Sequence, residues 1–195
     1  MKILLVIVVS ILPLNSIRCF FYNFLFGYNI KESYIGWMVI IDVENFKVEN
    51  STIGKLTIFT GPMSVVVESG VRIGFRNRFN CGKWVANKSN YKRLIKIEEN
   101  VLITNGHHFD VAGEIVIGEK TVIAGVCSQF WTHGNSADDI DIDIGSHCYI
   151  GSSCIFCPGS GISDHTVTGA GAIISKRYEK ANLVVTASRN IVRAR

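Results

Sequence analysis

Proline is almost missing from this chain, with three in 195 residues. Charge is sparse as well, at 18% of residues with a surplus of only +4. So small a surplus excludes a polybasic or polyacidic tail as the dominant feature. Basic residues do cluster at 72–93 and 176–195. No nucleic-acid motif accompanies them, so they read as solvated surface or as attraction for a phosphorylated cofactor or an anionic membrane. The six cysteines form no disulfide framework. Cys154 and Cys157 make a C-x-x-C, but no second pair stands at zinc-site spacing, so no metal is expected. Unpaired thiols fit a reducing compartment, hence a cytoplasmic protein.

Long apolar runs are lacking too. Residues 3–12 (ILLVIVVSIL) lie between Lys2 and Pro13, far short of the roughly 20 residues that a spanning helix needs. No small-x-small cleavage site follows. Aromatics recur at 20–22, 24, 26 and 28. Residues 1–30 are therefore expected to form an apolar, helical leader. It either lies on a membrane surface, such as the inner face of a bacterial membrane, or caps the end of the fold; an uncleaved signal anchor is the third option.

Glycine, isoleucine and valine are what the chain has in quantity, and near the C-terminus they keep time. Ile144, Ile150, Phe156, Ile162, Thr168 and Ile174 recur every six residues. Each opens a hexad, and a small residue usually follows it. A period of six is neither the 3.6 of a helix nor the 2 of a free strand. It marks a parallel β-helix built from hexapeptides. Three hexads make one coil, so stacking partners are expected eighteen residues apart, as in Ile35 and Ile53, Ile53 and Val71, or Ile144 and Ile162. The small second residue is expected to let the corner bend, with glycine tolerating positive φ there. Ile-Gly pairs at 35–36, 53–54, 73–74, 117–118, 144–145 and 150–151 extend the pattern over most of residues 31–195. Cys148, Cys154 and Thr166 share the fifth place of a hexad, which suits small filler.

The rhythm breaks twice. Ile117 and Ile123 open hexads, with Gln129 expected to open the third, yet Ile144 lies twenty-seven residues after Ile117. A loop extruded at 131–139 accounts for the lost register and carries His133. The other break lies between Ile73 and Ile117 and holds His107 and His108. Neighbours on a strand point to opposite faces, so these two cannot share one.

The stretch IGSHCYIGSSCIFCPGSGISDHTVTGAGAIISK, ending at Lys176, resembles the end of hexapeptide-repeat acetyltransferases. The loop SQFWTHG (128–134) is similar to the Thr-His loop of the subgroup that acetylates sugars, including capsule and lipopolysaccharide modifying enzymes, and LPLNSIR (12–18) resembles their leader. The chain departs from the family pattern at Ser163, at Ala172 and at 187–191, which lacks proline. The resemblance implies a left-handed β-helix, a homotrimer, and acetyl-CoA held in clefts between subunits. It implies an O-acetyltransferase acting on a sugar hydroxyl of a surface polysaccharide or its precursor. His133 matches the family's loop histidine.

That chemistry needs a base. A neutral imidazole that takes the attacking hydroxyl's proton is worth about 10²–10⁴ in rate. His133 is the expected base, oriented by Asp138, Asp139, Asp141 or a backbone carbonyl. Gly125 or Gly151 is a candidate to present an N–H to the oxyanion. Gly151, Gly169 and Ala170, with Gly171 and Ala172 beside them, leave room for a pantetheine arm, and Lys176 and Arg177 are placed to meet nucleotide phosphates. Trp131, His107 and His108 are candidates to wall the acceptor. His147 and His165 are expected to face outward. Three alternatives remain: acetylation of a small molecule, a γ-type carbonic anhydrase with His107, His108 and His133 on zinc, and a non-catalytic scaffold. Adjacent histidines make poor joint ligands, which counts against the second.

Overall fold

A computed structural model describes residues 2–134, 140–186 and 192–194. Three parallel sheets of eight, nine and seven strands run through them, and the chain visits the sheets in turn. The first sheet runs from Asn29–Lys31 to Arg177–Tyr178, the second from Tyr34–Ile35 to Val192–Ala194, and the third from Ile40–Asp42 to Ile173–Ile174. The architecture is a left-handed parallel β-helix. Only Val192–Ala194 departs, pairing antiparallel with Leu183–Val185.

The hexad openers all point inward. Ile144, Ile150, Phe156, Ile162, Thr168 and Ile174 are buried. Ile144 stacks on Ile162, Ile150 on Thr168, and Phe156 on Ile174. Cys148, Cys154 and Thr166 fill the fifth place, also buried, and both cysteines are free thiols. The third sheet carries an aromatic column inside. Phe59, Phe79, Phe109, Phe130 and Phe156 stack with ring centroids 4.5–4.9 Å apart. Each such pair adds about 0.5–1.5 kcal/mol beyond its buried area.

Several expectations change in detail. Ile53 stacks on Ile73 rather than Val71, because the corners between those coils are longer. Phe130, not Gln129, faces inward on the third sheet. The chain between Ile123 and Phe130 takes one extra residue, where the pairing register shifts and Gly125 and Cys127 adopt positive φ. The second-place glycine is not what turns the corner. The fourth residue does, as at His147 (φ 56°), Ser153 (57°) and His165 (58°). The glycine is needed for close approach instead: a Cβ on Gly145 would lie 2.5 Å from Asp164 N, and one on Gly151 2.7 Å from Ala170 N.

Two helices, α1 (Lys2–Ser10) and α2 (Asn15–Phe26), close the N-terminal end. The first coil is an edge whose backbone groups would otherwise stay unpaired. Polar side chains of α2 satisfy them. Asn23 bonds both N and O of Ile30. Asn15 accepts from Ile35 N at 2.8 Å. Buried Arg18 donates to Ile35 O and to Leu12 O, and Tyr22 Oη donates to Val39 O at 2.6 Å. The leader therefore caps the solenoid. Its outer side is the unusual one: Ile3, Leu4, Val8, Leu14, Phe20 and Phe24 are all exposed. No helix among the described residues is long and apolar enough to cross a membrane.

Candidate functional site

Insertions leave the solenoid at one edge, where the third sheet hands the chain back to the first. One occupies 81–93, between Arg78–Asn80 and Leu94–Ile97; the other falls between Gln129–Trp131 and Ile142–Ile144, where residues 135–139 of the expected loop lie outside the described residues. His133 stands at the root of the second insertion, two residues after Trp131. Its Nδ1 bonds Asp110 Oδ2. Asp110 is buried, at the end of the neighbouring strand and paired with Trp131 in register. Thr132 locks the geometry: its hydroxyl donates to Asp110 O at 2.6 Å and accepts from Gly113 N at 2.9 Å. A carboxylate can only accept, so Nδ1 donates to it. In the neutral imidazole this contact selects the tautomer with its lone pair on Nε2, the form able to take a proton there.

Aromatic rings flank that imidazole. Trp84, from the first insertion, meets it edge-on at 5.8 Å, and Trp131 does so at 6.1 Å. Lys88 lies 4.7 Å over Trp84, and Tyr91 packs on the same indole. Trp131 also touches His108, with centroids 4.9 Å apart. These rings make a half-apolar wall beside the free nitrogen.

His107 turns inward while His108 faces out. His107 Nδ1 accepts from Ser128 N at 3.1 Å, and Nε2 is 3.0 Å from the Thr104 hydroxyl. Burial pushes its pKa down to about 4, so it is neutral and both nitrogens are engaged. Burial lowers the pKa of His108 as well. His147 and His165 sit on another edge, stacked at 5.0 Å. Among the described residues no three His, Cys, Asp or Glu side chains gather as a metal group.

The predicted site residues do not all meet. His133, Trp131 and His108 line one stretch of the third sheet. Gly151, Gly169, Ala170, Gly171 and Ala172 follow second-sheet strands, on the second-to-third edge. Lys176 lies beyond Ile173–Ile174 on the third-to-first edge, and Arg177 opens the first-sheet strand Arg177–Tyr178. Arg177 pairs with Asp143 and Lys176 stacks over Tyr178. Gly125 and Gly151 lie across the third sheet from His133, so neither presents an N–H beside it within one subunit. Of the proposed orienting acids, Asp138 and Asp139 lie outside the described residues. Asp141 holds Lys92 at 2.6 Å and Glu114 N at 2.7 Å. Asp110 takes the orienting position, and sequence reasoning missed it. The signal was there: aligning Phe109 on Phe130 puts Asp110 beside Trp131, two residues before His133.

A scan against protein-family models finds no match. The bifunctional protein GlmU of Streptococcus pyogenes serotype M18 (strain MGAS8232) is 24% identical over 149 residues, 74% of this chain. The match spans 32% of that relative's length, so the chain corresponds to about a third of it. The crystal structure of the polysialic acid O-acetyltransferase OatWY aligns with a TM-score of 0.50 at 17% identity, over 86% of this chain and 81% of that one. LpxA from Acinetobacter baumannii aligns at 0.47 and 13% identity, over 85% and 69%. The chain has the left-handed β-helix fold of the hexapeptide-repeat acyltransferases.

Proposed function

We propose that the protein is an acetyl-CoA-dependent O-acetyltransferase that modifies a sugar hydroxyl of a surface polysaccharide or its precursor. The observation that carries this reading is the His133–Asp110 pair, flanked by Trp84 and Trp131, with no partner for Nε2 among the described residues. The acceptor hydroxyl gives its proton to Nε2 as its oxygen attacks the thioester carbonyl. Collapse of the tetrahedral intermediate expels the CoA thiolate, which takes a proton back, and no covalent enzyme intermediate is required. The aromatic wall suits the apolar faces of a sugar ring. The structural neighbour that acetylates polysialic acid supports a glycan acceptor over a small drug-like one.

CoA lies in a cleft between two copies in this reading, with Gly151, Gly169 and Ala170 along its arm and Lys176 and Arg177 near its phosphates. The separation of these two groups by the strand Ile173–Ile174 suits a long ligand. The second sheet's outward column is apolar from Leu102 through Val122, Tyr149 and Val167, with Arg72 and Thr52 standing between Leu102 and Tyr34; the apolar stretch supports self-association as a homotrimer, testable by light scattering after size exclusion. The apolar outer side of α1 and α2 supports contact with the cytoplasmic face of a membrane. Wild type is expected to float with anionic vesicles and a Phe20→Ser/Phe24→Ser variant to stay behind; equal flotation of the two would discard the membrane contact.

The decisive assay follows CoA thiol release with a panel of capsular and O-antigen oligosaccharides. Turnover with a glycan that collapses in His133→Ala is the expected result. Turnover that survives would move the base elsewhere, and none with any glycan would end the glycan reading.

A further inference from the structure

The edge that holds His133 continues toward the helical cap. Successive third-sheet strands end in Asp42, Thr60, Asn80 and Asp110, paired in register. Each follows an inward residue (Ile41, Phe59, Phe79, Phe109), so alternation turns all four outward. Strands lie about 4.8 Å apart, which makes the ladder about 14 Å long. It runs from α1 to the partner of His133.

A cavity of about 660 Å³ opens on this ladder, lined among others by Lys2, Asp42, Glu44, Thr60, Asn80 and Lys83. That volume is in the range of ligand sites. Its acids are neutralised: Lys2 pairs with Asp42 at 3.0 Å and Arg93 with Glu44 at 3.2 Å. Thr60 Oγ1 donates to Asn80 Oδ1 at 3.2 Å, which leaves the Asn80 amide nitrogen without a protein acceptor among the described residues. Gly82 forms part of the wall because Trp84 leaves no room for more: a Cβ there would lie 2.4 Å from the indole nitrogen. That same indole meets His133 edge-on at 5.8 Å. Gly82 of the cavity wall thus abuts the indole that meets His133, and Asn80 stands one strand from Asp110.

We propose that this groove binds the non-reacting part of an uncharged oligosaccharide, whose neighbouring ring is acetylated at His133. The inference rests on the glycan O-acetyltransferase reading and names its substrate class. With both lining acids paired, outward hydroxyl and amide groups remain to make many weak hydrogen bonds to neutral rings, and exposed Lys83 is the further cation of the lining. Acceptor length therefore matters, and the chain extends from the reacting ring toward the cap.

The test measures kcat/KM for CoA thiol release with neutral gluco-, manno-, galacto- and N-acetylhexosamine oligosaccharides of one to six rings. Oligomers of sialic acid, charged on every ring, form a second series. Wild type is expected to gain about tenfold with neutral chain length, about 1.4 kcal/mol of binding, and then level off. The sialic series should show no such gain. Thr60→Val/Asn80→Leu should lose the gain, and so should Ala86→Trp, which fills the groove from an exposed rim position and spares the ladder. Unchanged melting temperatures keep misfolding out of the comparison. Thiol release that is flat with length in wild type, or a length effect that survives in both variants, overturns the groove and leaves the acetyltransferase reading standing. A gain confined to the sialic series overturns the uncharged class. No release with any sugar overturns both readings together.

Discussion

Two edges of this solenoid are built on different terms. Where the first sheet turns into the second, every coil places a residue with positive φ: Glu32, Asn50, Gly70, Asn100, Lys120, His147, His165 and Asn182. Their backbone N–H groups bond the preceding corner in an unbroken series from Asn50 to Lys31 through Asn182 to Asp164. Where the third sheet returns to the first, the series is interrupted by residues 81–93 and again after Trp131, and His133, Trp84 and the ladder ending at Asp110 gather there. A corner bonded above and below cannot lengthen without breaking two neighbours. A corner free of that ladder can extrude chain, and extruded chain is where a rigid scaffold carries chemistry.

The largest expected effect lies on the open edge. His133→Ala should cut CoA thiol release by about 10²–10⁴, up to roughly 5.5 kcal/mol, with little change in urea midpoint. Equal losses of rate and stability would mean that the loop histidine holds the fold. Phe130→Ala should do the reverse, costing about 3–5 kcal/mol of stability in urea unfolding, because it removes a ring from the stacked column of the third sheet. A cost under 1 kcal/mol would mean that the column tolerates a gap.

The remaining edge supplies a pH test. His107 is held neutral in the fold, with its pKa near 4, against 6.5 when unfolded. The unfolded chain takes up the proton first, so this stability is complete above pH 6.5 and is lost as pH falls toward 4. It amounts to on the order of 3 kcal/mol. His107→Gln should flatten melting temperature across that window, though it lowers the plateau; an unchanged slope would assign the acid sensitivity to other groups. Asp110→Asn is expected to cost about 10² in turnover by offering His133 an N–H and reversing its tautomer. A shift confined to KM would contradict that role. Smallest is the contrast between the edges themselves. Gly145→Ala puts a Cβ 2.5 Å from Asp164 N and should cost about 1–3 kcal/mol. Asn87→Ala in the first insertion should stay within about 0.5 kcal/mol. Similar values for both would erase the distinction.

The inward residues from Ile144 to Ile174 were legible because their period is local: each hexad states its own geometry, and the next repeats it. His133 was legible as a histidine in a break of that period. Its partner was not. Asp110 lies twenty-three residues earlier, in the preceding coil, and which residue it faces depends on how many residues each corner consumes. The same dependence moved the inward position from Gln129 to Phe130 and the partner of Ile53 from Val71 to Ile73. Composition suggested an apolar leader but left its role open. The polar side of α2 decided that it caps, since Asn15, Arg18, Tyr22 and Asn23 meet their acceptors and donors only on the edge of the first coil. The sequence alone determined the repeat, its inward column and a histidine at a break in that repeat. Only the tertiary structure decided what faces that histidine, because stacking register accumulates along the whole chain and cannot be read from any one segment of it.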